Sequence, residues 1–252
     1  MKPSIHNTQN PNSHATQRGF TLMETVIAIL VLAVLLTGFL TVFTPAAQGI
    51  RRSINTQQAD RLQATLERDM STTRPNETTT FPTGFDKAFT WIRKGNDPAT
   101  AIFVYQYRGD KKTIRTTDGT LEPMKNASGK KPGQDYIIQT AARRVNDPLL
   151  SKDLEAIVGP LFYVIPTQLV TESNQLVLGT PGKILNPITK VEASTPSAYT
   201  DAVIPFSAAF FMTPSVSAEY LTGQKFIGKF NLAAAAASKV KPVFTRNLAV
   251  RR

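Results

Sequence analysis

The stretch Arg18-Gly19-Phe20-Thr21-Leu22-Met23-Glu24, together with the apolar run behind it, decides the fold of this chain. No charged residue occurs from Thr25 to Phe43, and the 24 residues that start at Phe20 contain one ionisable side chain, that of Glu24. An α-helix rises about 1.5 Å per residue, so this run reaches about 36 Å and can cross a hydrocarbon core of about 30 Å. The stretch therefore predicts a membrane-spanning helix over residues 20–44.

Glu24 is the unusual residue of this segment. A charged side chain inside a membrane helix costs about 2.5–3.5 kcal/mol on insertion scales, unless a partner offsets the cost or the group lies near the interface. Glu24 lies four residues after Phe20. If the chain is cut after Gly19, the new amine of Phe20 becomes a cation one helical turn away from Glu24, in the same copy or in a neighbouring one. Opposite charges a few Å apart in a poorly hydrated zone attract strongly.

These residues resemble the class III signal of type IV pilins and of the pseudopilins of type II secretion. The resemblance rests on the junction Arg18-Gly19, the entry Phe20-Thr21-Leu22-Met23-Glu24 and about twenty apolar residues after it, and it covers about residues 17 to 70. It implies that a prepilin peptidase cuts between Gly19 and Phe20 and methylates the new amine of Phe20. It also implies that Glu24 is the carboxylate required for assembly into a helical filament.

The resemblance further implies partners and a location. The partners are the prepilin peptidase, other pilin or pseudopilin subunits and an inner-membrane assembly platform. The protein would cross the bacterial inner membrane once, with a cytoplasmic N-terminus and a periplasmic or extracellular head. Lys2 and Arg18 favour this orientation, whereas Arg51 and Arg52 beyond the apolar run weaken the charge asymmetry. The orientation therefore depends partly on the resemblance.

The fold class predicted is α+β, with the membrane helix continuing as the spine of an antiparallel-sheet head of the pilin kind. The domains predicted are a cleaved leader over 1–19, a transmembrane helix over 20–44, a soluble helical half over 45–72 and a head over 73–252. Apolar residues at spacings of four and eight predict a narrow stripe on the soluble half that faces the core. They are Ile50, Ile54, Leu62, Leu66 and Met70. Pro45 predicts a kink.

Hydrophobic patterning and turn residues predict the elements of the head. Helices are expected over 85–94, over 149–158 with Asp147 as its cap, and over the alanine-rich stretch 232–239. Strands are expected over 101–108, 112–117, 136–142, 161–171, 175–178, 203–212 and 243–250, and a long loop over 118–135. Gly109-Asp110-Lys111 is taken as a hairpin turn, which accounts for the adhesion-like tripeptide Arg108-Gly109-Asp110. Pro166 requires an edge or a bulge.

The sequence predicts no enzyme, no catalytic residue, no metal site and no cofactor. The chain has no cysteine, and its two histidines, His6 and His14, lie in the predicted leader. The cleaved form would therefore lack thiol and histidine nucleophile pairs, histidine bases and the usual zinc ligands. Glu67 and Asp69 are the nearest approach to an acidic cluster. They stand two apart on a helix, so their side chains diverge, and a solvated helix face is expected there.

The C-terminal region is basic, in a chain whose formal net charge is +11. No acid follows Glu219, and phenylalanines alternate with cations that could contact nucleic acid: Lys225, Lys229, Lys239, Lys241 and Arg246. Charge and stacking could bind a single strand, but core-facing phenylalanines with solvated lysines are favoured.

Three functions remain open. The preferred one is a minor pilin or pseudopilin, because the head is large and lacks the disulfide of many major pilins. The alternatives are a competence-type minor pilin that binds DNA through its basic head, and an uncut, signal-anchored envelope protein that never assembles.

Overall fold

The computed structural model describes residues 21–235 and 240–252, so Gly19, Phe20 and Lys239 lie outside the described residues. The chain divides into two compact units, Met1–Ile50 and Arg51–Arg252. The first unit contains the apolar part of the N-terminal helix. The second is an α+β head built around an antiparallel sheet, and the predicted fold class is confirmed.

Five α-helices are present in the described residues. They are α1 (Leu22–Ser71), α2 (Gly84–Arg93), α3 (Pro148–Leu154), α4 (Ala218–Thr222) and α5 (Gln224–Ala234). Short 3₁₀ turns lie at Pro98–Thr100, after α2, and at Pro196–Ala198, between α3 and α4. Helix α2 begins with a capping box, in which the Thr83 side chain accepts from the Asp86 N–H and Asp86 accepts from the Thr83 N–H.

Seven strands form the sheet of the head. They are β1 (Ile102–Ile114), β2 (Leu121–Pro123), β3 (Tyr136–Arg144), β4 (Phe162–Glu172), β5 (Gln175–Leu178), β6 (Val203–Met212) and β7 (Phe244–Arg251). The strand order is β2-β1-β4-β6-β7, with β3 paired to β1 and β5 paired to β4. Every pairing is antiparallel.

Side chains alternate between the two faces of the sheet, and each face is covered by helices. Ile102 and Val104 of β1 belong to a core cluster that includes residues of α1 and α2. Phe103 and Tyr105, the residues between and after them, belong to a second cluster with residues of α3, α4 and α5. The head is therefore a three-layer arrangement in which the sheet separates two apolar cores.

The apolar stripe of the predicted soluble helical half divides into a buried and an exposed part. Leu62, Leu66 and Met70 are almost completely buried and belong to the first core cluster. Ile54 is 48% exposed and Ile50 is 62% exposed. The prediction of a core-facing stripe is confirmed from Leu62 onward and is wrong for the two isoleucines.

The hairpin predicted at Gly109-Asp110-Lys111 is wrong, because β1 runs straight through these residues. Gly109 pairs with Ile137 on one side and with Pro123 on the other, and Asp110 pairs with Tyr136. The chain reverses later, where the Arg115 N–H donates to the Thr120 carbonyl at 2.7 Å and Gly119 takes a φ of +72°. The hydrogen bonds that β1 makes with β2 and with β3 outweigh the preference of a Gly-Asp pair for a turn.

The continuous course of β1 through Gly109 has two consequences. The predicted loop over 118–135 contains strand β2, which returns beside β1 after the turn. The adhesion-like tripeptide Arg108-Gly109-Asp110 lies inside a paired strand, and a Cβ at Gly109 would meet the side chain of Leu121 at 2.7 Å. Strand pairing and the close approach of Leu121 to Gly109, rather than a hairpin turn, account for that tripeptide.

Two helix boundaries also differ from prediction. Asp147 caps α3 as expected, accepting from the Leu149 N–H, but the helix ends at Leu154 because Val158 donates its N–H to Gln106 of β1. The C-terminal helix begins at Gln224, eight residues earlier than the alanine run that predicted it. The predicted end of that helix lies partly outside the described residues.

Pro166 lies where β4 is locally an edge, as its missing N–H requires. On one side β4 pairs with β1 up to Val164 and with β5 from Leu169. Thr213 N donates to Leu161 O, so odd-numbered residues of β4 bond to β6 and Pro166 faces the gap between the other two partners.

Candidate functional site

Glu24 lies in the first turn of α1, where the helix start is built by a threonine. Thr21 Oγ1 accepts a hydrogen bond from the Glu24 N–H at 3.3 Å, and the Thr21 carbonyl accepts from the Thr25 N–H at 3.1 Å. Thr21 is thus the N-cap, and Glu24 occupies the third helical position, where the helix dipole favours an acid. Within the described residues the Glu24 carboxylate is exposed and has no hydrogen-bond or ion-pair partner.

The helical segment around Glu24 is apolar and uncovered. It is the one helix, in the part of the chain that the structure describes, that is long and apolar enough to cross a membrane: 29 residues, Leu22–Ile50. Its leucine, isoleucine, valine and phenylalanine side chains are at least half exposed. The length and the exposed apolar side chains of this helix are consistent with a membrane-spanning segment. The predicted cleavage and methylation at Gly19 and Phe20 fall outside the described residues and stay predictions.

The basic C-terminal residues do not form a stacking platform. Lys225, Lys229, Lys241 and Arg246 are exposed, and Lys239 lies outside the described residues. The phenylalanines between them point inward: Phe226 and Phe230 are each 1% exposed and pack on Tyr163 with ring centroids 5.5 and 5.7 Å away. Phe244 is partly buried beneath the guanidinium of Arg246. Phe226 and Phe230 thus face the core, as the sequence favours, and nucleic-acid contact by the exposed cations stays a prediction.

Asp69 contradicts the expectation of a solvated helix face. Its side chain is 6% exposed, whereas Glu67 is exposed, so the two acids do diverge. Asp69 accepts from the Ala142 N–H of β3 at 2.9 Å and from the Arg74 guanidinium at 2.8 Å. The acid satisfies an outward-facing backbone donor of β3, which explains why it is buried on the side of α1 that faces the sheet.

Arg143 is the centre of a buried ionic network that the sequence did not predict. This arginine is 0% exposed and donates to three carboxylates. Its Nε lies 2.8 Å from Asp153, one terminal nitrogen 3.1 Å from Asp147 and the other 2.5 Å from Asp118. Asp118 also accepts from the N–H and the hydroxyl of Thr120 in the turn after β1.

Asp153 of α3 extends the network to β1. It accepts from the hydroxyl of Tyr105 at 2.7 Å and from Arg115 at 2.5 Å. Arg115 also donates to Glu122 of β2 at 2.7 Å. The network therefore joins three strands, one helix and one turn through groups that are mostly removed from water.

Burial and the charged partners in the network shift the pKa values of Asp118, Arg143 and Tyr105. Burial alone would raise the pKa of Asp118, but the hydrogen bond and charge of Arg143 outweigh burial, so the pKa of this carboxyl is lowered. Burial opposes the charged form of Arg143, yet Tyr105, Asp153 and Asp147 raise the pKa of its guanidinium. Burial and then Asp153 raise the pKa of Tyr105 well above its ordinary value. Each carboxylate of the network accepts from at least one arginine.

A weak signal for the network was present in the sequence. Ala141 and Arg143 are two residues apart on β3, so their side chains lie on the same face of the sheet. Ala141 belongs to the second core cluster, and Arg143 therefore places a charge on a core-facing side. A buried charge requires a partner. The partners, however, lie 25 residues away at Asp118 and 10 residues away at Asp153, and no local pattern identifies them.

No set of three or more His, Asp or Glu side chains that could hold a metal ion occurs within residues 21–235 and 240–252. The N-terminal segment presents one exposed carboxylate, that of Glu24, at the start of an apolar helix. In the head, the ionic network around Arg143 links strands β1, β2 and β3 to helix α3.

Comparison with known proteins found a match to the N-terminal segment of the chain. Residues 14–40 match the family described as the prokaryotic N-terminal methylation motif, the class III prepilin signal of type IV pilin-like proteins. The resemblance drawn from Arg18 to Glu24 is thereby confirmed, and the motif with its apolar helix is consistent with a membrane-anchored protein. No curated protein and no solved structure matches the chain.

Proposed function

We propose that this chain is a structural subunit, a minor pilin or pseudopilin, of a type IV pilus or a type II secretion-like filament. One observation carries the proposal. The methylation motif over residues 14–40 coincides with a 29-residue apolar helix, Leu22–Ile50, in which Glu24 is the single charged residue. The proposal includes no catalytic activity and no cofactor.

In this proposal the subunit waits in the inner membrane with its N-terminus in the cytoplasm and its head outside. A prepilin peptidase cuts after Gly19 and methylates the amine of Phe20. An assembly platform then moves the subunit into a bundle of apolar helices, where other subunits cover the side chains of Leu22–Ile50. Glu24 meets the cationic amine of Phe20 on a neighbour, and this pairing offsets the cost of a carboxylate in a poorly hydrated bundle and sets the axial register.

Co-expression of the full chain with a prepilin peptidase tests the first step. We expect intact-mass spectrometry to show loss of residues 1–19 and gain of one methyl group on the new N-terminus. Gly19→Leu should abolish both changes, because a bulky residue blocks the scissile position. Gly38→Leu is the matched control, since a side chain there meets nothing within 4 Å. A wild-type chain that keeps its leader, as an uncut signal-anchored protein would, contradicts the proposal.

A further inference from the structure

Strand β7 forms an open edge of the sheet. Within residues 21–235 and 240–252 it pairs with β6 alone, from Phe244 opposite Phe210 to Arg251 opposite Val203. Arg252 N donates to the Ala202 carbonyl at 2.8 Å, which fixes the phase of this ladder. Even-numbered residues of β7 therefore bond to β6, and odd-numbered residues direct their N–H and C=O groups away from the sheet.

Four residues of β7 have outward-facing backbone groups: Thr245, Asn247, Ala249 and Arg251. All four are exposed, and in the part of the chain that the structure describes their outward groups have no hydrogen-bond partner. The inward-facing apolar residues Leu248 and Val250 are buried and hold the strand in place. The edge is thus a fixed row of backbone donors and acceptors that repeats about every 6.8 Å.

Strand β3, whose one partner among the named strands of the described residues is β1, has a covered position on its outer side. The outward N–H of Ala142 donates to Asp69 and its carbonyl accepts from Arg74, so side chains from α1 and from the segment after it saturate that position. No side chain in the described residues does the same for β7. Along β7, by contrast, all four outward-facing positions lack such a partner in the part of the chain that the structure describes.

Charge decides which strand can pair with this edge. Arg246 and Arg251 lie on β7, and exposed Lys241 and Arg252 flank it. No acid occurs in β6, in β7 or anywhere after Glu219, and the acid next to the Ala202–Arg252 pair is Asp201, which precedes β6. A second copy of β7 would bring a strand with two arginines and no acid beside the first, and the like charges of the two strands would repel. The same cations attract a strand that contains acids.

We propose that the β7 edge is a docking site for an extended, acidic segment of a partner protein, which adds as an eighth strand to the sheet. Outward backbone groups of Thr245, Asn247, Ala249 and Arg251 supply the hydrogen bonds, and the positive charge on and beside β7 favours carboxylates. The site does not depend on cleavage or on filament assembly, so it stands or falls separately from the proposed function.

The test uses the full chain in detergent micelles and a capped eight-residue peptide of alternating Glu and Val. A matched peptide carries Lys in place of Glu. We expect the acidic peptide to bind and to slow amide hydrogen exchange at Thr245, Asn247, Ala249 and Arg251 while the Lys peptide does neither. Equal binding of both peptides, or protection that excludes these four amides, would overturn the proposal. Protection that rises with protein concentration without peptide would identify a second copy as the occupant and would also overturn it.

Proline substitution removes one outward donor without breaking the β6–β7 ladder. Asn247→Pro should weaken binding of the acidic peptide roughly tenfold, the ratio expected for one hydrogen bond, whereas Asn247→Ala, which keeps the N–H, should bind as the wild type does. The fluorescence of Trp91 verifies that each variant is folded. Should Asn247→Pro unfold, Ala249→Pro replaces it, because its N–H also faces outward. Unchanged affinity in a folded proline variant contradicts edge pairing.

Discussion

At the scale of single residues, Arg143 is the most demanding side chain of the head. It is fully buried, and a lone guanidinium there would be very costly. Asp118, Asp147 and Asp153 each accept from it, so its charge is neutralised and all three of its nitrogens are bonded. Replacing a buried ion pair by apolar groups can be neutral, but removing one partner leaves the others unpaired and is expensive. In a chain without cysteines, this network ties together segments that lie far apart in the sequence.

Arg143→Met should therefore destabilise the head by about 3–5 kcal/mol, because Asp118 and Asp153 lose their shared cation in a dry environment. Guanidinium denaturation of the full chain in detergent measures this, with Trp91 as the reporter, since it is the single tryptophan and is buried. Lys125→Met is the matched control. Lys125 pairs with Glu155 on the surface, where both side chains are more than half exposed, and its loss should cost about 0–1 kcal/mol. Equal costs for the two variants would contradict the role assigned to Arg143.

The pH dependence of stability has a definite sign at Asp118. Its pKa is lowered in the folded protein, so its contribution is present above the unfolded pKa, near 4 for an ordinary aspartate, and is lost as pH falls through the folded value. The stability difference between the wild type and Arg143→Met should thus be full at pH 7 and shrink below about pH 4. The two denaturation midpoints should converge in acid. A difference that stays constant down to pH 2 would exclude Asp118 as the group concerned.

At the scale of elements, the C-terminal turns of α1 serve the head core. Leu66 is 0% exposed and belongs to the core cluster with residues of α2 and the sheet, whereas Ile54, twelve residues earlier on the same apolar stripe, is half exposed. Leu66→Ala should cost about 2–5 kcal/mol, because it removes buried methyl groups and leaves a cavity. Ile54→Ala should change stability by no more than about 0.5 kcal/mol. The same Trp91 denaturation assay checks both, and similar costs would show that the stripe acts as one unit.

Elements with a strong local pattern could be predicted from the sequence. Val203–Met212 and the β4–β5 hairpin have the predicted limits within one residue, and Ser173 and Asn174 in its turn adopt positive φ angles of 48° and 64°. Gly109-Asp110 was mistaken for a turn because its strand character comes from two ladders whose partners lie elsewhere in the chain. Local preference cannot reveal a tertiary pairing of this kind.

The candidate site shows the same division. The motif around Glu24 could be predicted because it depends on near neighbours, namely the Arg18-Gly19 junction, a phenylalanine and an apolar run. Asp69 could not, because its partners are the Ala142 N–H, 73 residues away, and Arg74, in the loop after the helix. A long-range contact of this kind leaves no periodic signal, and the pattern of two acids on a polar helix face predicted solvent instead.

At the scale of the whole molecule, the apolar helix and the head differ in whether the described residues cover their apolar side chains. The Leu22–Ile50 helix exposes apolar side chains, and its one charged residue is Glu24. The head, by contrast, has complete cores on both faces of its sheet. Folding of the head is therefore expected to be indifferent to Glu24, and any requirement for this carboxylate must arise when the apolar helix meets lipid or other subunits.

Glu24→Ala tests this separation. The variant should insert into the membrane at least as well as the wild type, since a charge is removed from an apolar segment, and should be processed normally, since the Arg18-Gly19-Phe20 junction is intact. Incorporation into filaments should fail, because the amine of the neighbouring Phe20 would enter the helix bundle without a counter-charge. Membrane fractionation, intact mass and immunoblotting of sheared filaments measure the three steps. Glu67→Ala removes an exposed acid from the same helix and should assemble normally. Filaments that contain Glu24→Ala at the wild-type level would show that bundle packing alone sets the register, and the carboxylate would then have to be assigned to the N-terminal turn that Thr21 begins.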